Sequence, residues 1–148
     1  MKITHVTMVL LVLIASGHTQ GSPDYYITSL QMPCYPPLAR QATLQGQTKV
    51  KIEVGSDGAV KSAEAVEGNV LLQTAALANV RTWKFGGGPG ASLAQLKTTV
   101  LFDYRLEGER GWERCAARVI FDGYSKVEII GHPPVINVTT VNAPAKRF

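Results

Sequence analysis

Apolar and polar residues alternate from Thr48 onward, which predicts a β-strand with one face buried and the other in water. The apolar positions of this strand are Val50, Ile52 and Val54. Residues 55–58, Gly-Ser-Asp-Gly, interrupt the alternation with residue types that favour turns, and a second extended run follows over residues 59–66. The two runs therefore predict a β-hairpin that closes at Asp57-Gly58.

Two segments have the pattern of helices. Pro36 and Pro37 suit the first turn of a helix because proline has no N–H to lose there, so a short helix is predicted over residues 36–44, before Gly46. A second helix is predicted after Asn69, whose side-chain oxygen can cap the first turn. Its apolar stripe has three- and four-residue spacing and consists of Leu72, Ala75, Ala76, Val80 and Trp83.

The second helix is predicted to end at Trp83-Lys84-Phe85, with a positively charged last turn. Arg81 and Lys84 would lie in that turn, where cations complement the helix dipole. Residues 86–90, Gly-Gly-Gly-Pro-Gly, cannot continue a helix. They lack the Lys-Ser/Thr of a phosphate-binding loop and lead into a strand, so they are interpreted as a linker.

A longer strand is predicted over residues 96–106. One of its faces carries Leu96, Thr98, Val100, Phe102, Tyr104 and Leu106, and the opposite face is polar apart from Leu101. Farther along, residues 119–121 and 127–130 are rich in apolar residues and flank a turn at residues 122–125. These two runs predict a second β-hairpin.

The first 20 residues have the layout of a secretory signal peptide. Lys2 precedes an apolar stretch over residues 6–15, and Ala15 and Gly17 are plausible positions for a cleavage site. The sequence therefore predicts export. The alternative is an uncleaved membrane anchor, although the apolar stretch is about half the roughly 20 residues that a span needs.

The chain contains two cysteines, Cys34 and Cys115. In an exported chain a disulfide between them is the natural hypothesis, and the alternative is two unpaired thiols. A closed loop of this length would stabilise the fold by about 4 to 5 kcal/mol on the chain-entropy model. No Cys-x-x-Cys motif is present, so neither a redox catalyst nor a zinc ribbon is predicted.

Composition and motifs favour a protein without catalysis or cofactor. The formal net charge is +4, but the basic residues are scattered and are not interleaved with aromatic residues as a nucleic-acid surface requires. His5, His18 and His132 lie far apart without acidic residues or cysteine at ligand spacing, so no metal site is predicted. No serine or Cys–His pattern marks a nucleophile. The sequence therefore predicts no enzyme, no cofactor and no nucleic-acid partner.

The order of these features resembles the C-terminal domain of TonB, the periplasmic protein that couples inner-membrane energy to outer-membrane transporters. The resemblance covers about residues 34–106, roughly half of the chain. It rests on Tyr35-Pro36, Ala39, Gly46, Val50, Val54, Asp57-Gly58, Val60, Leu72, Ala75, Val80, Trp83 and Phe85.

The resemblance implies an α+β fold, a small antiparallel sheet with helices packed on one face, with an extra C-terminal β-hairpin. In that family a three-stranded antiparallel sheet binds a short extended segment of outer-membrane transporters by adding it as a strand. Strand addition needs an open sheet edge more than particular side chains. The expected edge is the strand of residues 96–106, with candidate binding residues Leu96, Thr98, Val100, Phe102 and Tyr104.

The expected organisation has five parts. They are a signal peptide over residues 1–20, a flexible segment over 21–33, the TonB C-terminal-like domain over 34–107, the additional hairpin over 108–134, and a loose tail over 135–148.

The leading functional hypothesis is an exported periplasmic binding module whose partner is a protein or peptide, such as a TonB-dependent outer-membrane transporter. A disulfide-stapled structural or homodimeric envelope protein is the alternative, with the second hairpin used for self-association. A further alternative is an energy transducer anchored in the inner membrane, and membrane association is expected only in that case. The chain departs from the full-length family pattern because it has neither a long proline-rich spacer nor the intramembrane Ser and His of TonB. We therefore do not expect energy transduction by this chain alone.

Overall fold

The computed structural model describes residues 24–111, 115 and 118–135 of the 148-residue chain. These residues form seven strands, two α-helices and one 3-10 turn at Leu93–Gln95. In chain order the elements are β1 (Tyr25–Ser29), α1 (Pro37–Gln41), β2 (Gly46–Val54), β3 (Val60–Glu67), α2 (Val70–Val80), β4 (Lys84–Gly87), β5 (Lys97–Leu106), β6 (Arg118–Asp122) and β7 (Lys126–Gly131).

Five strands form the main sheet, in the spatial order β3-β2-β5-β7-β6, while β1 and β4 form a separate antiparallel pair. Strand β2 is antiparallel to both of its neighbours, β3 and β5. Strand β5 pairs in parallel with β7, which is antiparallel to β6. The α+β fold with an extra hairpin is confirmed, and this hairpin extends the main sheet and makes it mixed.

The β2–β3 hairpin has the geometry that its alternation predicts. Val50, Ile52 and Val54 are buried, and the pairing with β3 surrounds a turn at Asp57-Gly58. Gly58 has a φ of 80°, and the backbone of Phe85 occupies the space that a Cβ would need. Asp57 Oδ1 accepts a hydrogen bond from the N–H of Ala59 at 3.1 Å. The turn therefore requires glycine for its conformation and for this close approach.

Both helices are shorter than the sequence predicts. Helix α1 ends at Gln41 instead of residue 44, and two residues later Thr43 has a φ of 51°, outside the helical region. Helix α2 begins as predicted, with the Asn69 side chain accepting the N–H of Leu71 at 2.9 Å, but it ends at Val80. Beyond it, the N–H groups of Thr82 and Trp83 close the last turn with tighter, 3-10-type hydrogen bonds.

Lys84–Gly87 form strand β4, so the prediction that these residues end the helix and begin a linker is wrong. Phe85 is buried between exposed or half-buried neighbours, which is the alternation of a strand. Its N–H donates to the carbonyl of Gly58 at 2.8 Å. Tertiary pairing therefore supplies hydrogen bonds that the glycine-rich local sequence does not suggest.

The segment over residues 21–33, predicted to be flexible, contains strand β1. It pairs with β4, and the Thr28 hydroxyl also donates to the carbonyl of Lys84 at 3.1 Å. The sequence does not reveal the pairing of this strand because its partner lies more than fifty residues away, as the 56-residue separation of that hydrogen bond shows.

The core lies on the face of the sheet where α2 packs against β2 and β3. Trp83 is fully buried there, and the rings of Phe85, Phe102 and Phe121 lie 5.9 to 6.1 Å from its ring. The Trp83 indole N–H donates to Asn79 Oδ1 at 2.9 Å. This side chain therefore joins the end of α2 to β4, β5 and β6.

The predicted signal peptide over residues 1–20 and most of the tail over 135–148 lie outside the described residues. Within the residues that the structure does describe, no helix has both the length and the apolar character to cross a bilayer.

Candidate interaction surface

Strand β5, which the sequence predicts as an open edge, lies in the middle of the main sheet. Eight of its residues pair with β2 on one side, and residues 101–106 pair with β7 on the other. The prediction of a free edge over residues 96–106 is therefore wrong. The physical reason is that Val127 and Ile129 of β7 become fully buried when the hairpin lies beside β5, and this burial is favourable.

The side chains proposed for binding point into the core. Leu96, Val100, Phe102 and Tyr104 are buried, and Thr98 is half-buried. A partner strand beside β5 would therefore contact the backbone of these residues and leave their side chains under the sheet. Thr98, Val100, Phe102 and Tyr104 lie on β5, Leu96 immediately precedes it, and none of the five is exposed.

Strand β7 carries apolar and charged residues on opposite faces. Val127 and Ile129 face the core, whereas the ammonium group of Lys126 lies 2.6 Å from the carboxylate of Glu128 on the other face. This hydrogen bond lowers the pKa of Glu128 and raises the pKa of Lys126. The nearby guanidinium of Arg105 adds to the lowering of the Glu128 pKa.

A second ion pair lies next to this one on β5. Asp103 is buried, although it falls on the face that the sequence predicts to be wet. Arg105 donates from Nη2 and Nε to Asp103 Oδ2 at 2.8 and 3.1 Å, and Gln47 donates to the same oxygen at 3.4 Å. The hydrogen bond and charge of Asp103 raise the pKa of Arg105. Across the β5–β7 junction, the polar face therefore has two acidic residues in register, Asp103 and Glu128, each of which pairs with a basic residue of its own strand.

Strand β7 does not cover the whole length of β5. Its pairing starts at Leu101, whose N–H donates to the carbonyl of Ser125 at 2.8 Å. Residues 97–100 pair with β2, but no described strand pairs with them on the β7 side. The N-terminal part of β5 therefore keeps a short section of open edge.

Cys34 and Cys115 form a disulfide, which confirms the prediction from the sequence. Their Cα atoms lie 4.5 Å apart and their positions are 81 residues apart in the chain. Cys34 precedes α1, and Cys115 precedes β6. The bond therefore attaches the start of the C-terminal hairpin to the first helix.

Four other strands have a side that no described strand occupies: β3, β6, β1 and β4, although Ala59 makes an isolated bridge with Lys84 of β4. Strand β3 carries the charged residues Lys61, Glu64 and Glu67, and its pairing with β2 has two register shifts. Charged side chains and such irregularities are typical of edge strands that are protected from further pairing. The unpaired side of β1 borders an apolar groove of about 610 Å³, whose far wall includes Phe121 and Tyr124. Sequence reasoning missed this groove because β1 itself was not recognised.

The described residues contain no group of three His, Cys, Asp or Glu side chains arranged to hold a metal ion. The features that remain for function are sheet edges and grooves, which suit contacts with another polypeptide. The position of the hairpin beside β5 is the main feature that sequence reasoning missed. Its alternation predicts two strands, but gives no information on which strand they join.

Comparison with known proteins places the central part of the chain in a family. The sequence model described as the C-terminal part of the Gram-negative bacterial TonB protein matches residues 31–106, just over half of the 148 residues. The solution NMR structure of the Pseudomonas aeruginosa TonB C-terminal domain is similar at 22% identity, with 59% of this chain and 91% of that chain covered and a TM-score of 0.46. No curated protein matches the chain.

The matched residues begin before α1 and end at the last residue of β5, so β1, β6 and β7 lie outside the match. Because the match covers more than half of its length, this chain belongs to the family of TonB C-terminal domains.

Proposed function

We propose that this chain is an exported, non-catalytic binding module that takes up an extended segment of a partner protein as an additional strand. The observation that carries the proposal is the family match over residues 31–106, which includes β2, β3, α2 and β5. Strand addition obtains affinity from main-chain hydrogen bonds, which fits a sheet whose central apolar side chains are buried.

We further propose that the protein acts in the periplasm and that its partner is the periplasmic segment of an outer-membrane transporter of the TonB-dependent class. The Cys34–Cys115 disulfide supports export because such bonds persist in oxidising compartments. Residues 1–20, which have the pattern of a signal peptide, support the same location.

A peptide titration tests the binding function. The full chain is titrated by calorimetry with peptides from the periplasm-facing segments of such transporters. Each peptide has a matched control in which one central residue is proline, because proline has no N–H for the β-ladder. We expect the parent peptide to bind and its proline control to lose binding. If no transporter or envelope peptide binds the folded chain at millimolar concentration, the proposal is wrong.

A structural, self-associating role is the second candidate, and a specific observation favours it. Strand β7 already pairs with most of the side of β5 that faces away from β2. The apolar residues Leu38, Val70 and Leu71 are exposed on the two helices. This role predicts a homodimer and no peptide binding. Sedimentation equilibrium separates the two candidates: a Leu38→Lys variant should shift a dimer to monomer, whereas the leading proposal predicts that the wild type is already monomeric.

The anchored form is tested by cell fractionation and by the mass of the recovered protein. A species that starts near His18 and lacks two hydrogens at the cysteines supports an exported module. A chain that retains Met1 and fractionates with the inner membrane would instead support an anchored protein.

A further inference from the structure

We propose that β7 is a resident occupant of the partner-binding edge of β5, and that a partner segment with the residue pattern of β7 binds by displacing it. This inference rests on the proposed function, because it assumes that the chain binds an extended segment by strand addition. It adds that β7 occupies this edge in the free chain, and it gives the residue pattern that the partner carries.

Strand β7 lies outside the residues that match the family, beside the last strand of the matched part. The family match ends at residue 106, where β5 ends, so β5 is the last strand of the matched unit. Within the matched residues, β5 pairs only with β2, and its other side pairs with β7 from outside the match. The hairpin thus occupies the edge that the matched unit by itself would leave open.

Strand β7 leaves the first residues of β5 without a described partner on that side. Residues 97–100 extend beyond the start of the β7 pairing. Because the N–H of Leu101 points towards β7, the backbone groups of Thr99 point to the same side. An incoming strand can therefore pair first at Thr99 and then replace β7 from its Lys126 end. Displacement then requires no initial separation of the whole hairpin.

The side chains of β7 define what the partner must carry. Val127 and Ile129 are fully buried, so a replacement strand needs branched apolar residues at two alternate positions. Glu128 lies between them in register with Asp103, on the face that also carries Arg105 and Lys126. The partner segment is therefore expected to run parallel to β5 and to have an acidic residue between its two apolar residues.

The disulfide helps β7 to compete with a partner segment for the edge of β5, because it shortens the segment that holds the hairpin near that edge. Residues 107–117 join β5 to β6, but the bond to Cys34 leaves residues 116 and 117 between Cys115 and β6. The effective concentration of a tethered element falls roughly as the −3/2 power of tether length. By that scaling, removing the bond should strengthen peptide binding about tenfold.

The probe is a synthetic peptide with the sequence of residues 126–131 and neutral, capped ends. Its control peptide has serine in place of the residues that correspond to Val127 and Ile129. Both are titrated into the full chain and into its Cys34→Ser/Cys115→Ser variant. We expect the probe to bind both proteins, about tenfold more tightly without the disulfide, and the control peptide to bind neither.

Trp83 reports whether bound peptide displaces the hairpin. Phe121 of β6 covers Trp83, with ring centroids 6.1 Å apart, so departure of the hairpin should expose the indole and shift its emission to longer wavelength. A Trp112→Phe background leaves Trp83 as the single tryptophan. A peptide that adds to β1, β3 or β6 would leave Trp83 covered and its emission unchanged.

A reversible lock provides the sharper test. Leu101 and Lys126 are register partners, so Leu101→Cys/Lys126→Cys in the Cys34→Ser/Cys115→Ser background can form a disulfide that fixes β7 on β5. Lys51→Cys/Glu64→Cys, across β2 and β3, is the matched control lock. We expect oxidation to abolish probe binding and reduction to restore it for the first lock. For the control lock, oxidation should leave probe binding unchanged.

The outcomes separate this inference from the proposed function. If transporter peptides bind equally well with the β7 lock open or closed, the partner uses another edge: the inference is wrong and the binding function stands. If the probe binds without a change in Trp83 emission, displacement is likewise disproved. If neither the probe nor any transporter peptide binds any form of the chain, the proposed function itself fails.

Discussion

At the scale of single residues, Tyr35 and Tyr104 form a buried edge-to-face pair whose two hydroxyl groups have different environments. The ring centroids lie 5.5 Å apart, and both residues are buried. The Tyr35 hydroxyl donates to the carbonyl of Leu44 at 2.6 Å, whereas the Tyr104 hydroxyl has no hydrogen-bond partner among the described residues. A Tyr-to-Phe substitution at each position therefore removes one hydroxyl oxygen, and the two variants can be compared directly.

We expect Tyr35→Phe to lower the free energy of unfolding by about 1 to 2 kcal/mol, because the carbonyl of Leu44 loses its donor at a partly buried site. Tyr104→Phe should change it by less than about 0.5 kcal/mol, because the lost hydroxyl is already unsatisfied. Urea denaturation of both variants measures the difference. Equal losses would show that the Tyr35 hydrogen bond contributes nothing specific.

The same pair predicts loss of stability in alkaline solution. Burial raises the pKa of Tyr35 to about 12 and also raises that of Tyr104, compared with the usual 10.0. Above pH 10 the unfolded chain releases these protons while the folded chain keeps them, so the free energy of unfolding falls as pH rises from 10 towards 12. Denaturation at several pH values should show this fall. The Tyr35→Phe/Tyr104→Phe variant should show a shallower one, and identical slopes would contradict the assignment.

The neighbours of Asp103 in the sequence predict the face of β5 on which it lies, but not that it is buried. Its alternation with Phe102 and Tyr104 correctly assigns it to the polar face of β5. Its burial depends on Arg105, Gln47 and the neighbouring strand β7, which approach from three directions. A periodic pattern gives the face of a residue, but not what covers that face.

At the scale of elements, the start of α2 depends on a cap that the sequence predicts correctly. The Asn69 side chain accepts the N–H of Leu71, one of the donors that a helix start leaves unpaired. We expect Asn69→Ala to lower the free energy of unfolding by about 1 kcal/mol and Asn69→Ser to have little effect. Thermal denaturation of the two variants tests this, and equal destabilisation by both would exclude capping as the cause.

Both hairpins are predicted correctly because their paired strands are close in the chain. The β2–β3 hairpin closes over a few residues, and β6 and β7 flank a short turn, so both can be inferred from alternation and turn residues. Strands β1 and β4 depend on each other across a long separation, and both were missed. Strand β4 contains two glycines, which are rare in strands, so it depends on pairing more than on propensity.

At the scale of the whole molecule, the Cys34–Cys115 bond links the segment before α1 to the segment before β6. It spans 81 positions and closes a loop that contains α1, the first four strands after it and α2. We expect the Cys34→Ser/Cys115→Ser variant to lose about 4 to 5 kcal/mol in the free energy of unfolding, chiefly because its unfolded chain is less constrained. Denaturation of the variant and of reduced wild type should agree. A loss below about 1 kcal/mol would contradict this explanation of the stabilisation.

Periodicity, backbone preference and residue chemistry account for the local features of this protein: the faces of β2 and β5, the turn at Asp57-Gly58, the cap of α2 and the C-terminal hairpin. The disulfide follows from the presence of two cysteines in a chain predicted to be exported. That β7 lies against β5, and that β5 is therefore central in the sheet, is known only from the folded structure. The physical reason is that any unpaired strand edge offers the same backbone donors and acceptors. Which edge the hairpin covers therefore depends on where Val127 and Ile129 can be buried together with Trp83 and Phe102.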